Sequence, residues 1–256
     1  MSLGPAAMNL KLVEVQSTSV VGMTEIPTVP SSGLPAITRQ QMEEVDRVMI
    51  EDLHISLAQM MENAGRNLAA LAQKRFAAAR VCVMAGSGGN GGGGLVAARH
   101  LSNWGVDVMV TLGQPVDSMA RVPAHQLDAL QQMKVAIGEE PVSADLYLDA
   151  LIGYSLQGDP RGRKAELIEW LNQQEQPVLA LDTPSGLDVT TGEPANPCVA
   201  ATATMTLAAP KTGLFGAEQV GELYLADISV PPGVYAPFGT EMPASVFAQS
   251  PVVRVA

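Results

Sequence analysis

The chain has 256 residues, 47% of them hydrophobic, and a formal charge of −11 at neutral pH. That length supports one well-buried α/β domain, and the acidic balance disfavours nucleic acid and anionic membrane surfaces as partners. No apolar run reaches the ~20 residues of a membrane span, and no basic stretch leads into an apolar core as a secretory leader would. Cys82 and Cys198 are the only cysteines; two do not make a disulfide framework, which points to a reducing, cytoplasmic compartment.

Residues 1–36 are rich in Ser, Thr, Pro and Gly and lack a period, so they read as an irregular arm. Order is expected from Ile37. Thr38 with Gln41 forms a capping box, Ile37 with Met42 a hydrophobic staple, and Met42, Val45, Met49 and Leu53 one helical face. Ser56 and Gln59 repeat the box, and Ile55 with Met60 the staple, ahead of a second helix carrying Leu57, Met60, Ala64, Leu68 and Leu71. Gly65 is expected to permit a close helix contact.

Strand and helix alternate after this helix pair. Strands are expected at Arg80–Ala85, Asp107–Leu112, Asp145–Asp149, Pro177–Leu181, Ala200–Leu207 and Glu222–Ala226. Helices are expected near Gly92–Trp104, Ser118–Met133 and Lys164–Asn172. Such alternation imposes right-handed crossovers and a mostly parallel sheet with helices on both faces. The fold class is therefore α/β, a three-layer Rossmann-like domain over 37–232 preceded by the helix pair. A Pro-rich tail follows at 233–256.

The most informative segment is Val81–Leu101, VCVMAGSGGNGGGGLVAARHL. An apolar strand empties through glycines into a helix start. Glycines there let backbone approach a ligand and reach positive φ, and the free N–H groups with the helix dipole behind them favour an anion. Gly86, Gly88 and Gly91 fit a dinucleotide fingerprint, but glycine is dense here and the second strand ends in Thr111-Leu112-Gly113 without the acid that fingerprint needs. No Gly-Lys-Ser/Thr follows, so it is not a P-loop either. A different phosphate or nucleotide loop fits best.

Two carboxylates end strands. Asp149 closes DLYLD, and Asp182 closes PVLALD. Ligands of open parallel sheets bind beyond the carboxyl ends of strands, where a carboxylate ligates a cation or exchanges protons. Each alone reads more commonly as a loop cap; both together, beside a glycine loop on the same sheet edge, point to function. The loop Gly153–Gly162, GYSLQGDPRG, follows Asp149 and is expected to overhang the same crevice; Arg161 in it faces either a phosphate or solvent. No histidine pair has metal spacing.

Four passages together resemble the YjeF N-terminal domain family: ITRQQMEEVDRVMIEDLHISLAQMMENAG, AGSGGNGGGGLVAARHL, DALIGYSLQGDPRG, and LDTPSGLDVTTG with TLAAPKTGL beyond it. The resemblance covers about Ile37–Pro232. It implies an NAD(P)H-hydrate epimerase that interconverts the two epimers of hydrated NADH or NADPH. It also implies a homodimer, a bound potassium ion, and a separate NAD(P)H-hydrate dehydratase acting on the product. Matched motif by motif, the potassium ligands fall on Asn90, Asp149 and Ser185. Substrate contacts fall on Gly89, Asn90, Gly91, Gly92 and Gly93, on Gly153, Tyr154, Ser155, Leu156, Gln157, Gly158 and Asp159, and on Asp182, the implied acid/base. The chain departs from the family's usual glycine loop at three positions: Ser87 stands for Pro, Gly89 for the first Asn and Gly93 for Asp. A catalytically silent nucleotide-binding or dimerisation module on the same fold is the alternative.

Overall fold

The computed structural model describes residues 25–256. Its strands are β1 (Thr28–Val29), β2 (Arg80–Ala85), β3 (Asp107–Leu112), β4 (Ala136–Gly138), β5 (Leu146–Ala150), β6 (Val178–Leu181), β7 (Ala203–Leu207), β8 (Glu222–Ala226) and β9 (Val252–Val255). The α-helices are α1 (Arg39–Arg47), α2 (Leu57–Phe76), α3 (Gly89–Asn103), α4 (Arg121–Gln132) and α5 (Arg163–Leu171).

Both expected capping boxes form, Thr38 with Gln41 and Ser56 with Gln59, so each helix start satisfies its own free N–H groups. Met42, Val45 and Met49 are buried, whereas Leu53 is 42% exposed. The expected four-residue face breaks there because α1 passes into a π-turn at Val48–Asp52, which shifts the angular register.

The sheet order is β1-β9-β8-β7-β6-β5-β2-β3-β4, and every pair is parallel except β8 with β9. Alternation along the strands sorts the layers. Val81, Val83 and Ala85 face the core shared with α2, α3 and α4. Cys82 and Met84 face the opposite core, with Tyr147 and the α5 residues Leu167, Ile168 and Leu171. A third cluster packs α1 and the Pro232–Phe238 turn against the β8–β9 end. Helices on both faces of the sheet give the three layers expected.

The structure corrects three readings. The expected irregular arm (1–36) lies outside the described residues up to 24, and its remainder carries a short strand: β1 pairs with β9, a strand of the Pro-rich tail that was not expected either, and β9 with β8. The strand β4 was not foreseen; three residues carry no legible period. And α3 begins at Gly89, not Gly92, so most of the glycine segment is helix. None of Gly86, Gly88, Gly89 or Gly91–Gly94 has positive φ. Close packing is what Gly86 and Gly91–Gly94 serve, whereas Gly88 and Gly89 face open space. A Cβ on Gly86 would lie 2.0 Å from Leu151 O, one on Gly91 1.8 Å from Gly86 O, and one on Gly94 2.5 Å from Ala150 Cβ. Gly65 acts as expected: its Cβ would lie 2.4 Å from Val96 Cβ, so α2 and α3 touch backbone to backbone.

Candidate active site

Strand order reverses between the parallel neighbours β2 and β5: β3 and β4 lie on one side, β5 to β8 on the other. A crevice opens at such a switch point. Register places Met84 beside Asp149 and Asp149 beside Ala180, so the ends of β2, β5 and β6 bring the glycine segment, Asp149 and Asp182 to one sheet edge. A cavity of about 440 Å³ lies there. Its polar wall includes Ser87, Gly89, Asn90, Gly93, Gly153, Tyr154, Ser155 and Asp182; its apolar wall includes Met42, Ile50, Met60, Met61 and Leu181.

Asp182 is 3% exposed. Its Oδ2 accepts the Tyr154 N–H at 3.1 Å, and its Oδ1 accepts the Lys211 ammonium. Lys211 is fully buried and also donates to Thr206 Oγ1 (3.2 Å) and Leu207 O (2.9 Å). All three ammonium protons are therefore used. Asp182 has φ 66° and sits in a tight turn closed by Thr183 N–H to Leu181 O at 2.8 Å. Ala208, at the end of β7, repeats the device with φ 65° and a bond from Ala209 N–H to Leu207 O. Such non-glycine conformations cost ~1–3 kcal/mol each and persist where the surroundings overdetermine them. The buried ion pair joins the two turns.

Asp149 lies beneath the cavity floor and is fully buried. Its Oδ1 accepts Ser185 Oγ–H (2.6 Å) and Leu151 N–H (3.2 Å), and its Oδ2 accepts Ser185 N–H (2.7 Å). Burial raises its carboxyl to about 6, against the lowering effect of the Ser185 and Leu151 bonds. Ser185 Oγ in turn accepts the Ile152 N–H at 2.8 Å. The Asn90 amide packs on Gly153, and its Nδ2 is buried without a hydrogen-bond partner.

The other expected contacts divide. Gly91 and Gly92 are buried in packing against Gly86 and against Met61 and Pro123. Leu156 O accepts Arg39 Nη1 at 2.9 Å, and Asp159 Oδ1 accepts Asn196 N–H at 3.0 Å, so both tie the loop down. Gln157 and Gly158 are exposed beyond the cavity rim, as is Arg161. Three residues that sequence reading did not single out belong to the site. Lys211 holds Asp182. Lys164, at the start of α5, lines the cavity. Asp46, on α1, accepts the Tyr154 hydroxyl at 2.5 Å. The first had a signal: a lysine following Ala208-Ala209-Pro210 in an otherwise apolar run. Asp46 had none, because it is one acid among several on an amphipathic helix.

The comparisons with known proteins agree with this geometry. Residues 57–213 match the family model described as YjeF-related protein N-terminus. An NAD(P)H-hydrate epimerase of Dehalogenimonas lykanthroporepellens is 45% identical over 89% of this chain and 96% of its own. A bifunctional NAD(P)H-hydrate repair enzyme Nnr of Salinibacter ruber is 36% identical over 78% of this chain, which spans only 42% of that protein. The crystal structure of yeast ynu0 superposes with a TM-score of 0.76 at 23% identity, over 86% of this chain and all of that one, a likeness of fold. With a matched model over most of its length, and a site built where that model lies, the chain belongs to the family of YjeF-related N-terminal domains.

Proposed function

We infer that this protein is an NAD(P)H-hydrate epimerase, an isomerase that inverts the hydrated ring carbon of NADH or NADPH hydrate. The observation that carries the reading is Asp182: a buried, ion-paired, conformationally strained carboxylate on the wall of a cavity that also holds the open start of α3. A relative named for that activity, 45% identical over 89% of this chain, supports it.

The chemistry follows from the walls. The N–H groups at the start of α3 receive the substrate's phosphates, with Lys164 beside them. Met42, Ile50 and Met60 cover the ring and exclude water. Asp182, fixed by Lys211 and by the Tyr154 N–H, moves a proton at the ring carbon's hydroxyl, help worth about 10²–10⁴-fold. Gly89, Asn90, Gly93, Gly153, Tyr154 and Ser155 form the substrate surface. Gly91 and Gly92 support it from within α3, and the segment from Leu156 to Asp159 frames it.

A potassium ion suits the residues beneath the floor. Asp149, Ser185 and Asn90 offer oxygen donors with one formal charge, which fits a hard monovalent cation. Asp149 is a buried carboxylate without an ion-pair partner among the described residues, and the Asn90 amide has an unused buried atom; a half-turn of that amide presents its oxygen instead. Such an ion would offset the Asp149 charge and hold the loops after β5 and β6 together.

The same reading includes a homodimer in a cytoplasmic setting, which the two free cysteines fit, and a separate NAD(P)H-hydrate dehydratase that consumes the product. The bifunctional relatives, of which this chain spans about two-fifths, support that partnership. Incubating the protein with one purified epimer tests the reading. Conversion to the other accelerates, and Asp182→Asn removes the acceleration while ADP-ribose still binds. ADP-ribose binding without any acceleration by the wild-type protein identifies a silent binding module instead.

A further inference from the structure

Asp46 and Tyr154 stand apart from the other polar pairs of the helical entry. Glu43 pairs with Arg39, and Glu44, Glu51 and Asp52 with Arg47, all on the exposed side. Asp46 turns inward and has no cation within ion-pair distance among the described residues. It accepts only the Tyr154 phenol, at 2.5 Å. Both side chains line the cavity with Asp182, among Met42, Ile50 and Met60. Tyr154 links two acids, its main-chain N–H bonded to Asp182 and its phenol to Asp46. A latch between α1 and the loop after β5 needs no carboxylate buried at a substrate wall, and burying one is costly.

We propose that Tyr154, supplied by Asp46, is a second proton-transfer arm of the epimerase and works against Asp182. The proposal rests on the epimerase reading above. The reacting carbon carries a hydroxyl and the ring nitrogen. Asp182 takes the hydroxyl proton, and the oxygen's electron pair forms a carbonyl as the C–N bond breaks and its electrons pass to nitrogen. The nitrogen takes the Tyr154 proton, and protonated Asp46 refills the phenol. Rotation about the adjacent C–C single bond offers the carbonyl's other face. Nitrogen then re-adds, both transfers reverse, and no further reactant is consumed. Burial pushes the Asp46 carboxyl above its ordinary range, against the lowering effect of the Tyr154 hydrogen bond, a direction that favours the neutral form. Tyr154, Lys211, Asp182 and Tyr235 are the titratable groups around it.

The test compares kcat, KM and pH profile for wild type, Tyr154→Phe, Asp46→Asn and Asp46→Glu, with ADP-ribose binding as a check on the cavity. Tyr154→Phe, which keeps the ring, and Asp46→Asn are expected to lower kcat by about 10²-fold or more with KM changed less than about threefold. Asp46→Glu recovers part of the loss, and the alkaline decline of wild-type kcat disappears in Asp46→Asn. A Tyr154→Phe enzyme with near-wild-type kcat, or a loss confined to KM, overturns the second arm while leaving the epimerase intact. A wild-type protein that does not epimerise overturns the function itself, and the arm with it.

Discussion

The Lys211 ammonium and the Asp182 carboxylate form an ion pair buried from solvent on both sides, with side-chain exposures of 0% and 5%. They come from the turns after β7 and β6, adjacent strands, and Lys211 spends its other two protons on Thr206 and Leu207. Removing one partner of such a pair leaves the other charge stranded, which costs far more than the pair itself is worth.

Lys211→Met is therefore expected to destabilise the protein by about 3–5 kcal/mol. The double variant Lys211→Met with Asp182→Asn should recover much of that, since no buried charge remains. Urea denaturation of Lys211→Met, Asp182→Asn and the double variant checks it; additive losses would show that the two side chains do not act as a pair.

Two glycines that depart from the family's usual loop differ in surroundings. A Cβ on Gly89 meets nothing within 4 Å, whereas one on Gly93 would lie 2.7 Å from Leu181 Cδ2. Gly89→Asn should leave stability within about 0.5 kcal/mol. Gly93→Asp should cost about 1–3 kcal/mol through crowding and an added carboxylate against apolar Leu181. Thermal unfolding distinguishes them, and equal losses would contradict the packing described for α3.

Asp149 gives a pH dependence whose sign is opposite to that of most protein carboxylates. Its folded value, about 6, lies above the ordinary 3.8. The unfolded chain therefore loses this proton first. The stability contributed by the neutral form is full below about 3.8 and is lost as pH rises through about 6. A cation bound to the ionised group restores it. Potassium is thus expected to raise Tm at pH 8 and to have little effect at pH 5. Sodium-to-potassium exchange followed by calorimetry at both values tests this; an equal rise at both would remove Asp149 from the cation site.

The carboxyl-terminal strand is structural. Val252, Val253 and Val255 are buried, and among the described residues β9 alone links β1 to β8. Each fully buried valine contributes ~1.5–3 kcal/mol. Ending the chain at Ser250 should lower the urea midpoint steeply and free residues 25–36 to protease, whereas an unchanged midpoint would show that the sheet does not need its edge.

Much of this was legible in the order of residues alone. Capping boxes at Thr38 and Ser56, and the strand at Arg80–Ala85, depend on neighbours within a few positions, so local chemistry sufficed. Four motifs in order gave the family, and strand ends gave Asp149 and Asp182. What lay beyond reach was set by distant partners. Whether a glycine serves a positive φ or a close contact depends on what packs against it, and Gly91 and Gly94 meet Gly86 and Ala150. The pairing of Val252–Val255 with both Thr28–Val29 and Glu222–Ala226 depends on hydrogen bonds across more than 200 positions in one case. The same holds for Lys211 under Asp182 and for Asp46 at Tyr154, 108 positions away. A single lysine or aspartate has the same local sequence signature on a solvated face as in a buried pair, and only the tertiary fold determines which it becomes.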